Sequence, residues 1–368
     1  MILPKKLDLL LLGFSVIASA TCSIAKSVSP VPSNGPSTMI TTSLQGPFDG
    51  PKLDKVNGTS FEWWYFDICS EKSSIQILFV TSTLYAAGHP GAGINLVTYV
   101  LLDGTFPNGT SFNYFIPSSN VSIETVGDGS SGYFESVGSW HGSPDMSYYT
   151  ITIDSETADA KGVLYFRSSG LAHYPFNFAA ERDNSSEVLA PDFGWANAVP
   201  DADAHADLVI GDTNLSIVGR GYHDKNWGIA PMQTLTKTWY WGHAKVGPYS
   251  IVWFDYISSK EQEYYSVYLA KDGVPISLGT SITVRPYGSN KTQSEYPPSA
   301  NATNPDGFTI NIDAGYAGKF EFNASNHNLV QNSSTYARWT GEVTGGLVGK
   351  EHCNGRGVGL WEWMHFLA

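Results

Sequence analysis

The sequence predicts an all-β protein built from two barrel-like or sandwich-like domains packed side by side. Short segments rich in β-branched and aromatic residues recur along the chain, for example residues 74–85 and 93–103. Turn-forming Asp-Gly and Asn-Gly pairs separate such segments, as in the stretches DGTFPNG and AKDG. No amphipathic pattern is long enough for a helix of more than three turns. Many short strands with regular turns are typical of sandwiches and barrels.

The first 45 residues precede the predicted folded domains. Lys5 and Lys6 are followed by an apolar run and by the small residues Ala18-Ser19-Ala20, which together predict a secretory signal peptide over 1–20. Residues 21–45 are rich in Ser, Pro, Thr and Gly, so we expect a flexible lead-in.

Two aromatic segments divide the remainder of the chain. FEWWYFDI (61–68) opens one strand-rich half, and TWYWGHAKV (238–246) opens the other. We therefore expect an N-terminal β-barrel-like domain over 46–212 and a C-terminal one over 213–368, each of ordinary domain size.

A secretory destination agrees with the Asn-x-Ser/Thr sites and the cysteines. Nine such sites behind a signal peptide predict an N-glycosylated protein that is secreted or lumenal. Cys69 and Cys353 form an even pair, which suggests one disulfide in an oxidising compartment; two separately buried thiols are the alternative. The predicted glycosylation sites are Asn57, Asn108, Asn120, Asn184, Asn214, Asn290, Asn301, Asn323 and Asn332.

Composition and missing motifs exclude several classes of function. The formal net charge is −13, and such an acidic surface repels nucleic acid. No stretch beyond the signal approaches the ~20 apolar residues of a membrane span. The sequence has no P-loop, no dinucleotide-binding glycine motif after a strand and no G-x-S-x-G elbow. Nucleotide-binding, nicotinamide-dependent and serine-hydrolase functions therefore have no supporting motif. We also expect no cofactor, a hydrophobic small molecule as substrate, and a monomer or weak dimer.

The segment FEWWYFDI contains the first candidate acids. On a strand, one face carries Trp63, Tyr65 and Asp67, and the other carries Glu62 and Trp64. A carboxylate among aromatic rings is either hydrogen-bonded to a Trp or Tyr, or has a raised pKa and can serve as a general acid. Both interpretations apply to Glu62 and Asp67.

The segment GYHDKNWG (221–228) contains the second set. Strand geometry places Tyr222, Asp224 and Asn226 on one face and sends His223 and Lys225 to the other. His223 and Asp224 therefore cannot pair directly as in a catalytic triad. Either Asp224 and Asn226 cap backbone groups at a bend between flanking glycines, or some of these side chains project into a cavity as donors or acids.

The segment DADAHAD (201–207) resembles a string of metal ligands. Asp201, Asp203, His205 and Asp207 share one strand face, but no second His or carboxylate motif completes a site. We expect a solvated edge strand and no metal.

Tryptophan is abundant on the predicted strands of both halves. In a barrel such rings fill the core or line a cavity for a flat, apolar molecule. The residues concerned are Trp63, Trp64, Trp239, Trp241, Trp253, Trp361 and Trp363.

Three segments together resemble a known family. FEWWYFDI, then GYHDKNWG followed by WYWGHA, and the closing GRGVGLWEW are similar to the two-domain lipocalin-like family of carotenoid hydratases and fungal Diels–Alderases. The resemblance implies two lipocalin-like barrels with the substrate between or within them, and no metal or organic cofactor. The secretory features resemble the fungal branch that joins a tropolone quinone methide to a sesquiterpene such as humulene by a hetero-Diels–Alder reaction.

The resemblance leaves three alternatives open. They are an intramolecular decalin-forming Diels–Alderase, a terpenoid hydratase or isomerase, and a non-catalytic secreted binding protein. In the favoured reaction, an acid first removes water from a hydroxymethyl tropolone, and an aromatic pocket then holds the partners in a reactive pose. Candidate catalytic residues are Glu62, Tyr65, Asp67, His223 and Asp224. Candidate substrate-binding residues are Trp63, Trp64, Tyr222, Trp241 and Trp253.

Overall fold

The structure, a computed structural model, confirms an all-β protein with two curled sheets packed side by side. Among the described residues the only helices are a four-residue helix α1 (Met232–Leu235) and a 3₁₀ turn (Gly315–Ala317). The described residues are 24–40, 47–89, 91–175, 186–278, 281–289, 294–299, 302–350 and 354–366. The predicted signal peptide, Cys353, Asn184, Asn290 and Asn301 lie outside them.

The first sheet has thirteen antiparallel strands. Their order is β1-β6-β7-β8-β9-β10-β12-β13-β2-β3-β4-β5, and β11 pairs with β12. The strands are β1 (Ile24–Val28), β2 (Phe61–Cys69), β3 (Ser74–Ser82), β4 (Thr98–Thr105), β5 (Ser111–Pro117), β6 (Val121–Val126), β7 (Gly129–Phe134), β8 (Gly138–Gly142), β9 (Tyr148–Ser155), β10 (Ala160–Ser168), β11 (Val188–Ala190), β12 (Phe193–Ile210) and β13 (Thr213–Gly228).

The second sheet has nine strands in the order β17-β16-β15-β14-β22-β21-β20-β19-β18. The C-terminal strand β22 inserts between β14 and β21, so the last strand of the chain lies at the centre of this sheet. The strands are β14 (Thr236–Val246), β15 (Tyr249–Ser258), β16 (Glu263–Lys271), β17 (Val274–Leu278), β18 (Ile282–Tyr287), β19 (Gly307–Asp313), β20 (Lys319–Asn332), β21 (Tyr336–Leu347) and β22 (Gly355–His365).

Two predicted boundaries need correction. The chain changes sheets between Gly228 and Thr236, whereas residue 212 lies in the turn between β12 and β13, which pair along their length. The flexible lead-in predicted over 21–45 includes Ile24–Val28, whose backbone groups pair with β6 as strand β1. Whether each sheet folds as an independent domain remains a prediction.

Three hydrophobic cores follow from the strand alternation. In β6, Val121 and Ile123 are buried while Ser122 and Glu124 are exposed, the pattern of a strand with one solvated face. The first core lies inside the first sheet, the second inside the second sheet, and the third between the sheets. Strand β2 is buried on both faces because one face lines the first core and the other faces the second sheet.

The octet GYHDKNWG forms the last half of β13, between β12 and β2. Its side chains alternate as expected within one continuous strand, and irregularities in the pairing with β12 lie opposite Gly221, His223 and Asp224. The flanking glycines make room for aromatic rings: a Cβ on Gly221 would lie 2.5 Å from the Phe166 ring, and one on Gly228 would lie 2.5 Å from the Phe61 ring.

The acidic segment 201–207 lies on β12, which is not an edge strand because it pairs with β10 and β13. The predicted solvated face is observed, since Asp203, His205 and Asp207 are exposed. Asp201 is buried and receives a hydrogen bond of 2.8 Å from Arg220 Nε, so this face is held by ion pairing.

Most predicted glycosylation sites within the described residues are exposed or half-buried, but Asn57 is buried. Its side-chain amide nitrogen donates to the Gly35 carbonyl at 2.9 Å, so a glycan there would have to replace that bond. No helix among the described residues is long and apolar enough to cross a membrane. The secretory location and the Cys69–Cys353 disulfide remain predictions.

Candidate active site between the two sheets

A cavity of about 130 Å³ lies between the two sheets and opens to solvent. Strands β2, β3, β4 and β13 of the first sheet and β14, β15, β21 and β22 of the second sheet contribute its walls. Aromatic and aliphatic side chains dominate the lining, including Trp63, Val80, Leu101, Trp239, Trp241 and Phe254. Such a surface suits a flat, hydrophobic molecule.

Asp224 is the acid on the β13 side of this cavity. Its carboxylate oxygen Oδ2 accepts hydrogen bonds from Trp195 Nε1 at 2.7 Å and from the Tyr222 hydroxyl at 2.8 Å. Burial raises the pKa of Asp224 to about 7, and the two hydrogen bonds limit the rise. Asp224 is therefore a carboxyl group that exchanges its proton near neutral pH, as a general acid requires.

Arg338 is the charged centre of the opposite wall. Its Nε and Nη2 donate to Glu362 Oε2 at 3.2 and 3.0 Å, and its Nη1 lies 3.6 Å from Asp103 Oδ2. The Tyr336 hydroxyl also donates to Glu362 Oε2. Burial raises the pKa of Asp103 to about 6, and the Arg338 guanidinium opposes that rise.

Further donors at the cavity lack a hydrogen-bond partner among the described residues, and two of them are named here. They are the Tyr65 hydroxyl and the Trp239 indole nitrogen, and both are buried. Burial, together with the nearby Asp67 carboxylate, keeps the pKa of Tyr65 well above its usual range, so the phenol remains a donor. These groups can hydrogen-bond to oxygen atoms of a bound molecule.

Glu62 and His223 lie on the other faces of their strands, inside the first core. Lys225 Nζ is 2.7 Å from Glu62 Oε1 and stands 3.9 Å above the Trp64 ring. His223 Nε2 lies 3.1 Å from Asp49 Oδ1, and its ring stacks on Phe66. This buried cluster does not line the cavity.

Asp67 does not line the cavity, and its carboxylate is hydrogen-bonded to His243. Its two carboxylate oxygens lie 2.8 and 3.0 Å from His243 Nε2. With Cys69 these residues place three potential metal-ligand atoms within 4.8 Å of one another, although Asp67 and His243 already satisfy each other. His243 stacks on Tyr222 at 4.4 Å, so the hydrogen-bonded pair of Asp67 and His243 packs against the phenol that donates to Asp224.

Four of the ten predicted site residues therefore line one cavity: Trp63, Tyr65, Asp224 and Trp241. Tyr222 lies directly behind Asp224 as its hydrogen-bond donor. Trp64 belongs to the core of the first sheet, and Trp253 belongs to the core of the second. The catalytic and binding roles of all ten remain predictions.

Sequence reasoning missed Asp103, Arg338 and Glu362. Each is a charged residue within an otherwise apolar or aromatic strand, as in YVLLDG and GLWEW. A charge at such a position must be paired or functional, which is the signal that could have identified them.

A second cavity, of about 290 Å³, lies beside the core of the second sheet. Tyr240, Trp363 and several prolines line it, with none of the ten predicted site residues among the lining. The cavity between the sheets is therefore the candidate active site.

Comparison with known proteins agrees with this architecture. A family model described as Diels-Alderase-like matches residues 21–366. The chain belongs to the Diels-Alderase-like family. Members of this family catalyse Diels–Alder reactions or rearrangements, and this chain is an enzyme of that kind.

Two fungal relatives are similar over most of their length. The quinolone epoxide rearrangement protein asqO of Emericella nidulans is 34% identical over 334 residues, which are 88% of this chain and 89% of asqO. The quinolone epoxide rearrangement protein penF of Penicillium thymicola is 33% identical over 342 residues, which are 88% of this chain and 91% of penF.

A solved structure shares the fold. CghA in complex with Sch210972 superposes with a TM-score of 0.74 at 20% identity, over 93% of this chain and 99% of CghA. The match to the family model confirms the predicted family, and CghA shares the arrangement of two packed sheets.

Proposed function

We propose that this enzyme catalyses the acid-assisted rearrangement of an epoxide carried by a hydrophobic quinolone. The observation that carries the proposal is Asp224, a buried carboxyl group with a pKa of about 7 at the wall of an aromatic cavity. The similarity to asqO and penF supports an epoxide as the reacting group and a quinolone as its carrier.

The first step uses the proton of Asp224. Because Trp195 and Tyr222 both donate to Oδ2, the proton belongs on Oδ1. Transfer of this proton to the epoxide oxygen weakens the C–O bond at the carbon that best bears positive charge. That bond breaks, its electron pair goes to the oxygen, and a hydroxyl group and a carbocation result.

The second step occurs within the same molecule. The rings of Trp63, Trp239 and Trp241 line the cavity and can stabilise the cation by cation–π attraction, worth about 0.5–2 kcal/mol for each well-placed ring. A neighbouring group then migrates or an internal nucleophile attacks, and a proton returns to the Asp224 carboxylate. The net change is an isomerisation, and an apolar lining that excludes water suppresses diol formation.

The reaction should slow as the pH rises above about 7. The active form of Asp224 is the protonated one, and its fraction falls tenfold per pH unit above its pKa of about 7. We expect kcat/KM to fall with unit slope above about pH 8. A pH–rate profile measures this, with Asp224→Glu expected to move the midpoint. A rate that rises with pH through 7 would assign Asp224 as a base.

A hetero-Diels–Alder reaction between a tropolone quinone methide and a sesquiterpene is the second candidate. The family match favours it, because the family is described as Diels-Alderase-like, and the aromatic and aliphatic lining of the cavity suits hydrophobic reaction partners. The same Asp224 proton would assist departure of the tropolone hydroxyl as water.

A product assay separates the candidates. The purified protein is incubated with a quinolone epoxide and, separately, with a hydroxymethyl tropolone plus humulene, each against a buffer blank. We expect an isomer of the quinolone epoxide and no enzyme-dependent change in the second mixture. An enzyme-dependent adduct in the second mixture alone would establish the alternative, and identical products with and without protein would indicate a binding protein.

A further inference from the structure

We propose that Asp103 and Arg338 together recognise a cis-lactam edge of the substrate, where an N–H donor lies next to a C=O acceptor. This inference rests on the proposed function, because it specifies which quinolone the cavity accepts. It predicts a 2-quinolone, whose N–H and C=O are adjacent, over a 4-quinolone, whose N–H and C=O lie across the ring.

Two atoms of opposite hydrogen-bonding character carry the inference. Arg338 Nη1 can only donate, and the ionised Asp103 Oδ2 can only accept. The atoms are 3.6 Å apart, beyond a good hydrogen bond, and neither has a hydrogen-bond partner among the described residues. Both residues line the cavity between the sheets.

The rest of each side chain is held in place. Glu362 accepts from Nε and Nη2 of Arg338, and Asn113 Nδ2 donates to Asp103 Oδ1. Asp103 lies on β4 of the first sheet and Arg338 lies on β21 of the second. Both side chains are buried, 4% exposed or less, so these contacts fix where their remaining polar atoms lie.

A lactam supplies what both atoms lack. Its N–H can donate to Asp103 Oδ2 while its carbonyl accepts from Arg338 Nη1, and these bonds lie side by side. A buried polar group without a partner is unfavourable, so a ligand that satisfies both atoms gains affinity, and one that satisfies neither gains none. Methylation of the lactam nitrogen removes the donor and adds bulk at Asp103 Oδ2.

The test measures binding without chemistry. Titration calorimetry compares 2-quinolone with N-methyl-2-quinolone, which carry no epoxide and cannot rearrange. We expect the full-length protein to bind 2-quinolone at least about tenfold more tightly, as expected for loss of one charge-assisted hydrogen bond. Equal affinities, or no measurable binding of 2-quinolone, would overturn the proposal.

The variant Asp103→Asn reverses the character of one atom. Asn113 still donates to the amide oxygen at the Oδ1 position, so the new amide nitrogen faces the cavity where Oδ2 was. A donor then faces the lactam N–H, and we expect the preference over the N-methyl compound to fall to within about twofold. A variant that unfolds at the same temperature as the wild type but keeps the full preference would contradict the role of Asp103.

A tropolone also presents a donor next to an acceptor, because its O–H lies beside its C=O. Comparing the binding of tropolone with that of 2-quinolone therefore shows which of the two ligands the pair of Asp103 and Arg338 recognises. Tighter binding of 2-quinolone than of tropolone supports the lactam, and the reverse order overturns it.

The outcomes also separate this inference from the proposed function. If an N-methylated epoxide rearranges as fast as the N–H compound, the function stands and the lactam recognition fails. If 2-quinolone is preferred but no epoxide rearranges, the recognition stands and the function fails.

Discussion

The variant Asp224→Asn is expected to lower turnover by about 10²–10⁴-fold, the usual contribution of a general acid. The amide has the shape of the carboxyl group, and its oxygen can still accept from Trp195 and Tyr222, so the fold should be retained. Steady-state kinetics at pH 6 measure the loss, and far-UV circular dichroism checks the fold.

The matched control is Asp207→Asn, which changes a carboxylate on the solvent-exposed face of β12. Its turnover should equal that of the wild type. If Asp224→Asn retains more than a tenth of wild-type activity, Asp224 does not supply the proton, and an acid of the opposite wall such as Asp103 takes its place as the candidate.

Removing Lys225 is expected to destabilise the protein rather than to alter the chemistry. The variant Lys225→Met leaves Glu62 buried without its cation, and breaking a buried ion pair costs about 3–5 kcal/mol. Urea denaturation followed by tryptophan fluorescence measures the loss in the free energy of unfolding. Because the cluster does not line the cavity, activity per folded molecule should remain near that of the wild type.

The double variant Glu62→Met/Lys225→Met tests the same explanation. With both charges removed, no unpaired charge remains, and most of the lost stability should return. A Lys225→Met protein that is as stable as the wild type yet inactive would contradict a structural role and would restore Glu62 as a catalytic candidate.

The strand pattern predicted which residues share a face, but it did not show what that face contacts. Alternation alone placed Tyr222, Asp224 and Asn226 together and separated them from His223 and Lys225, as observed. The octet contains no information about which of these faces adjoins the second sheet, because packing between sheets depends on residues far away in the chain.

Glu62 and Asp224 show why local sequence could not assign the acid. Each is a carboxylate among aromatic residues on a buried strand, so their sequence contexts are alike. The register pairs Lys225 with Trp64, which brings the Lys225 ammonium group to Glu62 and neutralises it. Asp224 receives only neutral donors from Trp195 and Tyr222 and therefore keeps a raised pKa.

The cavity wall that faces Asp224 could not be predicted from local sequence, because it is formed by strands that are far apart in the chain. Asp103, Arg338 and Glu362 come from β4, β21 and β22, and they meet only because β22 inserts beside β21 while β4 approaches from the other sheet. No short motif joins these residues.

The mass of the product formed in H₂¹⁸O tests the central claim most directly. Proton transfer from Asp224 followed by rearrangement within one molecule predicts a product with the mass of the quinolone epoxide and no ¹⁸O. A diol that contains ¹⁸O would show that water reaches the cation and that the enzyme is a hydrolase of the epoxide, in contradiction of an intramolecular rearrangement.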